Sequence, residues 1–238
     1  MSRPPQSVAI DGPVLVVAPH PDDETLGCGG LIAEAVGQGF AVHTVFVTDG
    51  AASHPGSLQW SRAKLARRRE REAREALRRL GAGEQPRTFL RLPDSGMPDP
   101  SDMRHAQAVT RMAGIVRDLS PRLAVLPWRR DPHRDHRGSW RLAMDAIDET
   151  GLSPCILEYA VWLDDLGVAD DHPRPGEMEP VGLDIGAHAQ SKQQAVQAHL
   201  SQLGSLITDD PSGFTLPPEM IARLTGRWEA YWRPCGAR

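Results

Sequence analysis

Two short stretches hold most of the residues in this chain that can do chemistry. They are His20-Pro21-Asp22-Asp23-Glu24 and His133-Arg134-Asp135-His136. The first sets four ionisable side chains within five residues, directly after the apolar run Val14 to Ala18. Burying such a cluster without partners costs several kcal/mol per charge. A metal cation removes most of that cost, because carboxylates and neutral imidazoles can share it. His20, Asp23 and His136 together supply two imidazoles and a carboxylate, a recurring catalytic zinc set with an open fourth position. Zinc, or another divalent metal, lowers the pKa of bound water toward about 7 and polarises a carbonyl. Asp22 then stands ready as general base. His133 is expected to donate to a developing oxyanion as imidazolium, with Asp135 fixing its tautomer and orientation.

These residues need elements that bring them together. Residues 14–18 read as a strand buried on both faces. Further strands are expected at 42–47, 88–92, 123–127, 156–163 and 181–185. Helices are expected at 31–37, 61–80, 102–119, 139–150 and 190–203, with a C-terminal helix at about 217–232. Strands alternating with helices predict an α/β fold. It is a Rossmann-like three-layer αβα sandwich with a mostly parallel central sheet. Residues 1–238 read as one domain, with its core at about 13–203. Right-handed crossovers place all parallel strand ends on one sheet edge, so motifs more than a hundred residues apart can meet there. Asp49 after the second strand and Asp94 after the third share that edge. His54 in the loop 51–56 reads as solvated, with contact to a substrate as the rival reading.

Composition narrows the function. A net charge of -4 leaves no electrostatic footprint for nucleic acid. Three scattered cysteines build no disulfide framework or CxxC zinc motif, which favours a reducing, cytoplasmic setting. No apolar run is long enough to span a membrane, and residues 1–12 are too polar for a secretory signal. The GCGG at 27–30 lacks the GxGxxG spacing of a dinucleotide site, and the acidic run beside it would repel a pyrophosphate. Trp228, Tyr231 and Trp232 are expected to pack internally or to make a contact in a homo-oligomer.

The string AHPDDE with the following LGCGG resembles the signature of the LmbE-like, or PIG-L, family of zinc-dependent N-acetylglucosaminyl deacetylases. HRDHRG is similar to that family's second motif, commonly HPDH. TDG at 48–50, RREREA ahead of LG, LPD at 92–94 and KQQAVQAHLSQ at 192–202 follow in the family's order. The resemblance implies His20, Asp23 and His136 as metal ligands and Asp22 as general base. It also implies His133 as stabiliser of the tetrahedral intermediate and Asp135 as its orienting carboxylate. Asp94 and an arginine, Arg69 or Arg68, match positions that contact the sugar. His199 and Gln202 fall in a helix motif beside the pocket. Two departures stand out. Arg134 replaces the usual proline, and Asp131-Pro132 stands where some members carry a tyrosine.

The expected activity is removal of an acetyl group from a small-molecule N-acetylated amino sugar or its conjugate. Hydrolysis of another amide or N-glycosidic conjugate is the alternative enzyme. A non-catalytic sugar-binding protein on the same fold is the rival from another class, and the presence of both Asp22 and His133 argues against it.

Overall fold

The computed structural model describes residues 7–236. Its centre is a seven-stranded sheet in the order β3-β2-β1-β4-β5-β7-β6. The strands are β1 (Val14–Ala18), β2 (Val42–Thr48), β3 (Arg87–Leu92), β4 (Leu123–Pro127), β5 (Cys155–Tyr159), β6 (Met178–Asp184) and β7 (Trp228–Pro234). The first five run parallel, and β7 pairs antiparallel with both β5 and β6. The expected mostly parallel α/β sheet is therefore present.

Side-chain alternation along β1 builds the three layers. Val14, Val16 and Ala18 face α1 (Asp23–Gly37) and α2 (Arg62–Arg79). Leu15 and Val17 face α3 (Met103–Leu119) and α4 (Arg134–Thr150). Every residue of β1 is fully buried, which explains its unbroken apolar run. The chain winds from β1 toward β3 on one side and from β4 toward β5 on the other. The crevice between the ends of β1 and β4 is thus the switch point where open α/β sheets bind ligands.

Two helices begin earlier than the sequence suggests. The first starts at Asp23 rather than at residue 31, so the acidic motif forms its opening turn. Glycines weaken helices, and GCGG therefore reads as a break. Tertiary packing overrides that preference. A Cβ on Gly27 would lie 2.2 Å from Tyr159, and one on Gly30 would lie 2.3 Å from Ile185. Asp23 and Glu24 also suit the positive end of the helix dipole. The fourth helix starts at Arg134 rather than at residue 139, with the His133 side chain as its cap. Its Nδ1 accepts from the Asp135 backbone N–H at 3.2 Å.

The C-terminal helix expected at 217–232 is corrected. A short helix (Pro218–Leu224) is followed by strand β7. The pattern Glu229, Tyr231 inward and Trp232 toward Trp128 has period two, which short aromatic-rich segments do not separate clearly from a helix face. Glu229 ties β7 to α1, accepting from the backbone N–H of Gly30 at 2.7 Å and of Leu31 at 2.8 Å. Lys192 Nζ and Tyr231 Oη complete its partners, each at 2.7 Å. The strand expected at 156–163 ends at Tyr159 and turns into a four-residue helix (Leu163–Leu166). The helix expected at 190–203 splits into Ala189–Val196 and a 3-10 turn Leu200–Gln202. Among the described residues no helix is long and apolar enough to cross a membrane.

Gly30→Ala is expected to destabilise the protein by about 1–3 kcal/mol, because the new methyl overlaps Ile185. Gly114→Ala, in α3 with nothing within 4 Å of the new Cβ, is expected to stabilise by about 0.5–1 kcal/mol. Urea midpoints at constant slope separate the two outcomes.

Candidate metal centre and substrate cavity

Both chemistry-bearing motifs leave the sheet at the switch point. Thr48 fixes the turn after β1, its backbone N–H and its hydroxyl both donating to Pro19 O at 2.9 Å. This turn aims His20 and Asp23 at one point. Asp23 Oδ2 accepts from the His20 backbone N–H at 2.8 Å and lies 3.0 Å from His20 Nδ1. The same oxygen lies 3.3 Å from His136 Nε2, although the two residues are far apart in sequence. His20, Asp23 and His136 therefore converge as the sequence predicts.

The fit to a cation is visible in what is left unpaired. His136 is fully buried, and neither of its ring nitrogens makes a hydrogen bond. Its Nε2 points at Asp23, and its Nδ1 faces Asp131 Oδ2 at 3.5 Å. An imidazole with one nitrogen toward the metal position and a carboxylate behind the other is the arrangement that metal-binding histidines use. The ligand-capable atoms of His20, His133 and His136 lie within 4.8 Å of one another, as do those of His20, Asp94 and Asp135. The donor set suits zinc or a similar divalent ion.

Electrostatics follow from this crowding. Burial opposes charge on His20, but its bonds to Asp135, Asp23 and Asp94 raise its pKa well above the usual histidine value. Burial likewise opposes charge on His136, yet Asp23 and Asp131 push it up to about 9. Burial would raise Asp23, but His136 and His20 hold it well below the carboxylate range. Asp22 is raised by burial, with Arg69 pulling the other way. His133 is pulled down to about 4 by burial and by its neighbours His20 and His136.

That direction runs against the imidazolium expected at His133. With Nδ1 accepting the Asp135 backbone N–H, its proton resides on Nε2. The expected Asp135 carboxylate contact to His133 is also replaced. Asp135 Oδ2 lies 3.2 Å from His20 Nε2 and accepts the Ser95 N–H at 2.7 Å. The first turn of α4 directs the carboxylate toward the β1 motif, not back along its own helix.

A cavity of about 330 Å³ opens beside this cluster. His20, Asp22, Asp23, Arg69, Asp94 and His133 line it. Of the two arginines, Arg69 lines the cavity. Arg69 is buried, with Nη2 2.8 Å from Asp22 Oδ2 and Nη1 2.7 Å from Gly50 O. Arg68 pairs with Glu72 and does not line the cavity. Asp94 accepts the Ala52 N–H at 2.7 Å and faces His20 Nε2 at 3.5 Å. Asp49 sits behind the site, taking the N–H groups of Ala51 and Asp94. His54 is buried and bonds Ser53, so the solvated reading is wrong. Arg134 is exposed and away from the cavity. Neither tyrosine lines it, since Tyr159 donates to Val17 O and Tyr231 to Glu229. His199 is fully buried against Thr25 Oγ1, 3.2 Å away.

Several residues at the site lay outside the sequence expectation. Asp131 supports His136 and accepts the His133 N–H at 2.9 Å, and its place in DPHRDH was the one available signal. Ser53, Trp162 and Phe214 reach the cavity from loops with no readable pattern. Gln202, which the resemblance places beside the pocket, lines the cavity with Oε1 unpartnered.

A buried imidazole–carboxylate cluster at the switch point, with the Arg69-paired carboxylate of Asp22 beside it, defines a candidate metal centre of the kind hydrolases use. Residues 15–147, more than half of the chain, match the PIG-L family described as GlcNAc-PI de-N-acetylase. The chain belongs to that family of amide hydrolases. It is 27% identical to the 1D-myo-inositol 2-acetamido-2-deoxy-alpha-D-glucopyranoside deacetylase of Rhodococcus opacus, over 84% of this chain and 83% of that protein. It is 30% identical to the diacetylchitobiose deacetylase of Thermococcus kodakarensis, over 58% of this chain and 50% of that protein. The crystal structure of the conserved protein TT1542 from Thermus thermophilus superposes with a TM-score of 0.62 at 28% identity, over 89% of this chain and 84% of that one.

Protein stripped of metal by a chelator is expected to lose thermal stability as pH rises from 6.5 through about 9. His136 is charged in the folded state and gains its partners there, so its contribution is complete below its ordinary pKa and fades as the folded pKa is passed. His20, raised in the same direction, adds to the slope. Divalent-metal affinity should rise across the same window, because binding displaces those protons. Melting curves and metal titrations at about pH 6 to 9.5 check both signs.

Proposed function

We propose that this protein is a zinc-dependent hydrolase that removes an acetyl group from an N-acetylated amino sugar or its conjugate. One observation carries the reading. His20, Asp23 and His136 converge on one buried point while Asp22, held by Arg69, opens into the adjoining cavity. His20, Asp23 and His136 are the residues that would hold the metal. When bound, it supplies Lewis acidity to the amide carbonyl and acidifies the attacking water.

The chain's own residues do the rest. Asp22 is the general base. Burial raises its proton affinity toward the working range, and Arg69 keeps it ionised and aimed. It takes a proton from the attacking water and passes it to the leaving nitrogen, so that a carboxylate and a free amine result. His133 donates its Nε2 proton to the developing oxyanion as a neutral hydrogen-bond donor. Asp131 and Asp135 orient the imidazoles of His136 and His20. Arg69, Asp94, Ser53 and Gln202 form a polar wall suited to sugar hydroxyls. The free Oε1 of Gln202 is an acceptor with no protein donor.

Acetate release from a panel of N-acetylated sugars should require a divalent metal and stop with chelator. Asp22→Ala should retain metal and lose turnover by about 10²–10⁴-fold. A near-normal rate in that variant would remove Asp22 from the mechanism. Arg69→Ala should shift the acidic limb of the pH–rate profile upward, because Arg69 lowers the Asp22 pKa. An unmoved limb would show that the pair is structural only.

A further inference from the structure

Two unlike sets of side chains line the cavity. The polar set is Asp22, Arg69, Asp94, Ser53 and Gln202, and the apolar set is Leu26, Val161, Trp162, Leu166, Phe214 and Leu216. An acetyl methyl needs one small apolar contact, so six such side chains exceed what deacetylation requires. We infer that this apolar set receives the acyl substituent, and that the protein also cleaves amides whose acyl group is longer than acetyl. The inference rests on the roles given to Asp22 and His133 above.

The geometry of an amide decides which part of the substrate is free to meet the apolar set. Its nitrogen must face Asp22 to be protonated, and its carbonyl oxygen must face His133. The third substituent on the carbonyl carbon then points away from both. The amine and its sugar fall on the Asp22 side, where Arg69 and Asp94 stand. The acyl group falls on the remaining side.

That side is a built surface. The Trp162 ring lies 6.4 Å from the His133 ring at an interplanar angle of 29°, and Phe214 meets Trp162 at 5.4 Å in an edge contact. Backbone bonds join it to the polar set: Phe214 N–H donates to Ser53 O at 2.7 Å, and Leu216 N–H to Gln202 O at 2.8 Å. Leu26 lies at depth, 2% exposed, and Leu166 is 62% exposed. The apolar lining thus extends from a buried residue to an exposed one, which leaves an extended chain a path outward. Each methylene buried there strengthens binding by up to about fourfold. The reaction is unchanged in its balance: water adds to the carbonyl carbon, the C–N bond breaks, and a fatty or aryl carboxylate leaves in place of acetate.

The test uses metal-loaded protein and N-acyl glucosamines from acetyl through hexanoyl to phenylacetyl, with the free amine quantified. A second arm compares methyl and octyl glycosides of N-acetylglucosamine. The expected result is a kcat/KM for the hexanoyl amide at least about tenfold above that for the acetyl amide, in line with the burial of added methylenes. Phe214→Ala and Val161→Ala should each lower the hexanoyl-to-acetyl ratio. Cleavage of the acetyl amide with no gain from longer acyl groups would overturn the inference and leave the deacetylase reading standing. A gain that follows the octyl glycoside would overturn it too, by assigning the apolar set to the aglycone. Failure to cleave any amide would overturn the deacetylase reading and this one with it.

Discussion

The structure depends on how it neutralises the charge collected between β1 and β4. Asp22, Asp23, Asp131 and Asp135 are each at most 5% exposed, and His136 is wholly enclosed. Unpaired, such a set would cost more than a domain's net stability. The fold distributes it in pairs. Asp23 serves His20 and His136, Asp131 backs His136, Asp135 backs His20, and Arg69 answers Asp22. Toward the cavity, Asp22 and His133 form part of the wall.

Pairing at this density requires the two motifs to be held to within a fraction of an ångström, and α1 does much of that. Its glycines let the helix lie directly on Tyr159 and Ile185. Glu229 grips its backbone from β7, neutralised by Lys192. The last strand of the chain therefore helps position the first motif, although nearly the whole sequence separates them. GCGG works as a seam for close approach, and its glycines are needed for packing rather than for binding a phosphate.

The rim is organised differently. Asp209 accepts from Ser57, Leu58 and Gln59, and Asp210 from Gly56, so two adjacent carboxylates clasp the loop after β2 to the loop before the helix Pro218–Leu224. Ser53 and Phe214 enter the cavity from these joined segments. Joined loops thus supply part of the cavity wall, while the ionisable cluster sits at strand ends.

The sequence by itself determined the sheet's parallel core and the convergence of His20, Asp23 and His136. Buried strands carry unbroken apolar runs, and clustered ionisable residues at their ends have no inexpensive structural use. Tertiary structure decided what local pattern could not express. It chose Arg69 over Arg68, because only one position of that arginine-rich helix faces Asp22. It turned Asp135 toward His20 and set His133 where burial and neighbouring imidazoles oppose its protonation, which spacing cannot convey. It made residues 228–234 a strand, because β5 and β6 offered an open lane between them. It also assembled Trp162 and Phe214 into one wall, since contacts between distant loops leave no period along the chain.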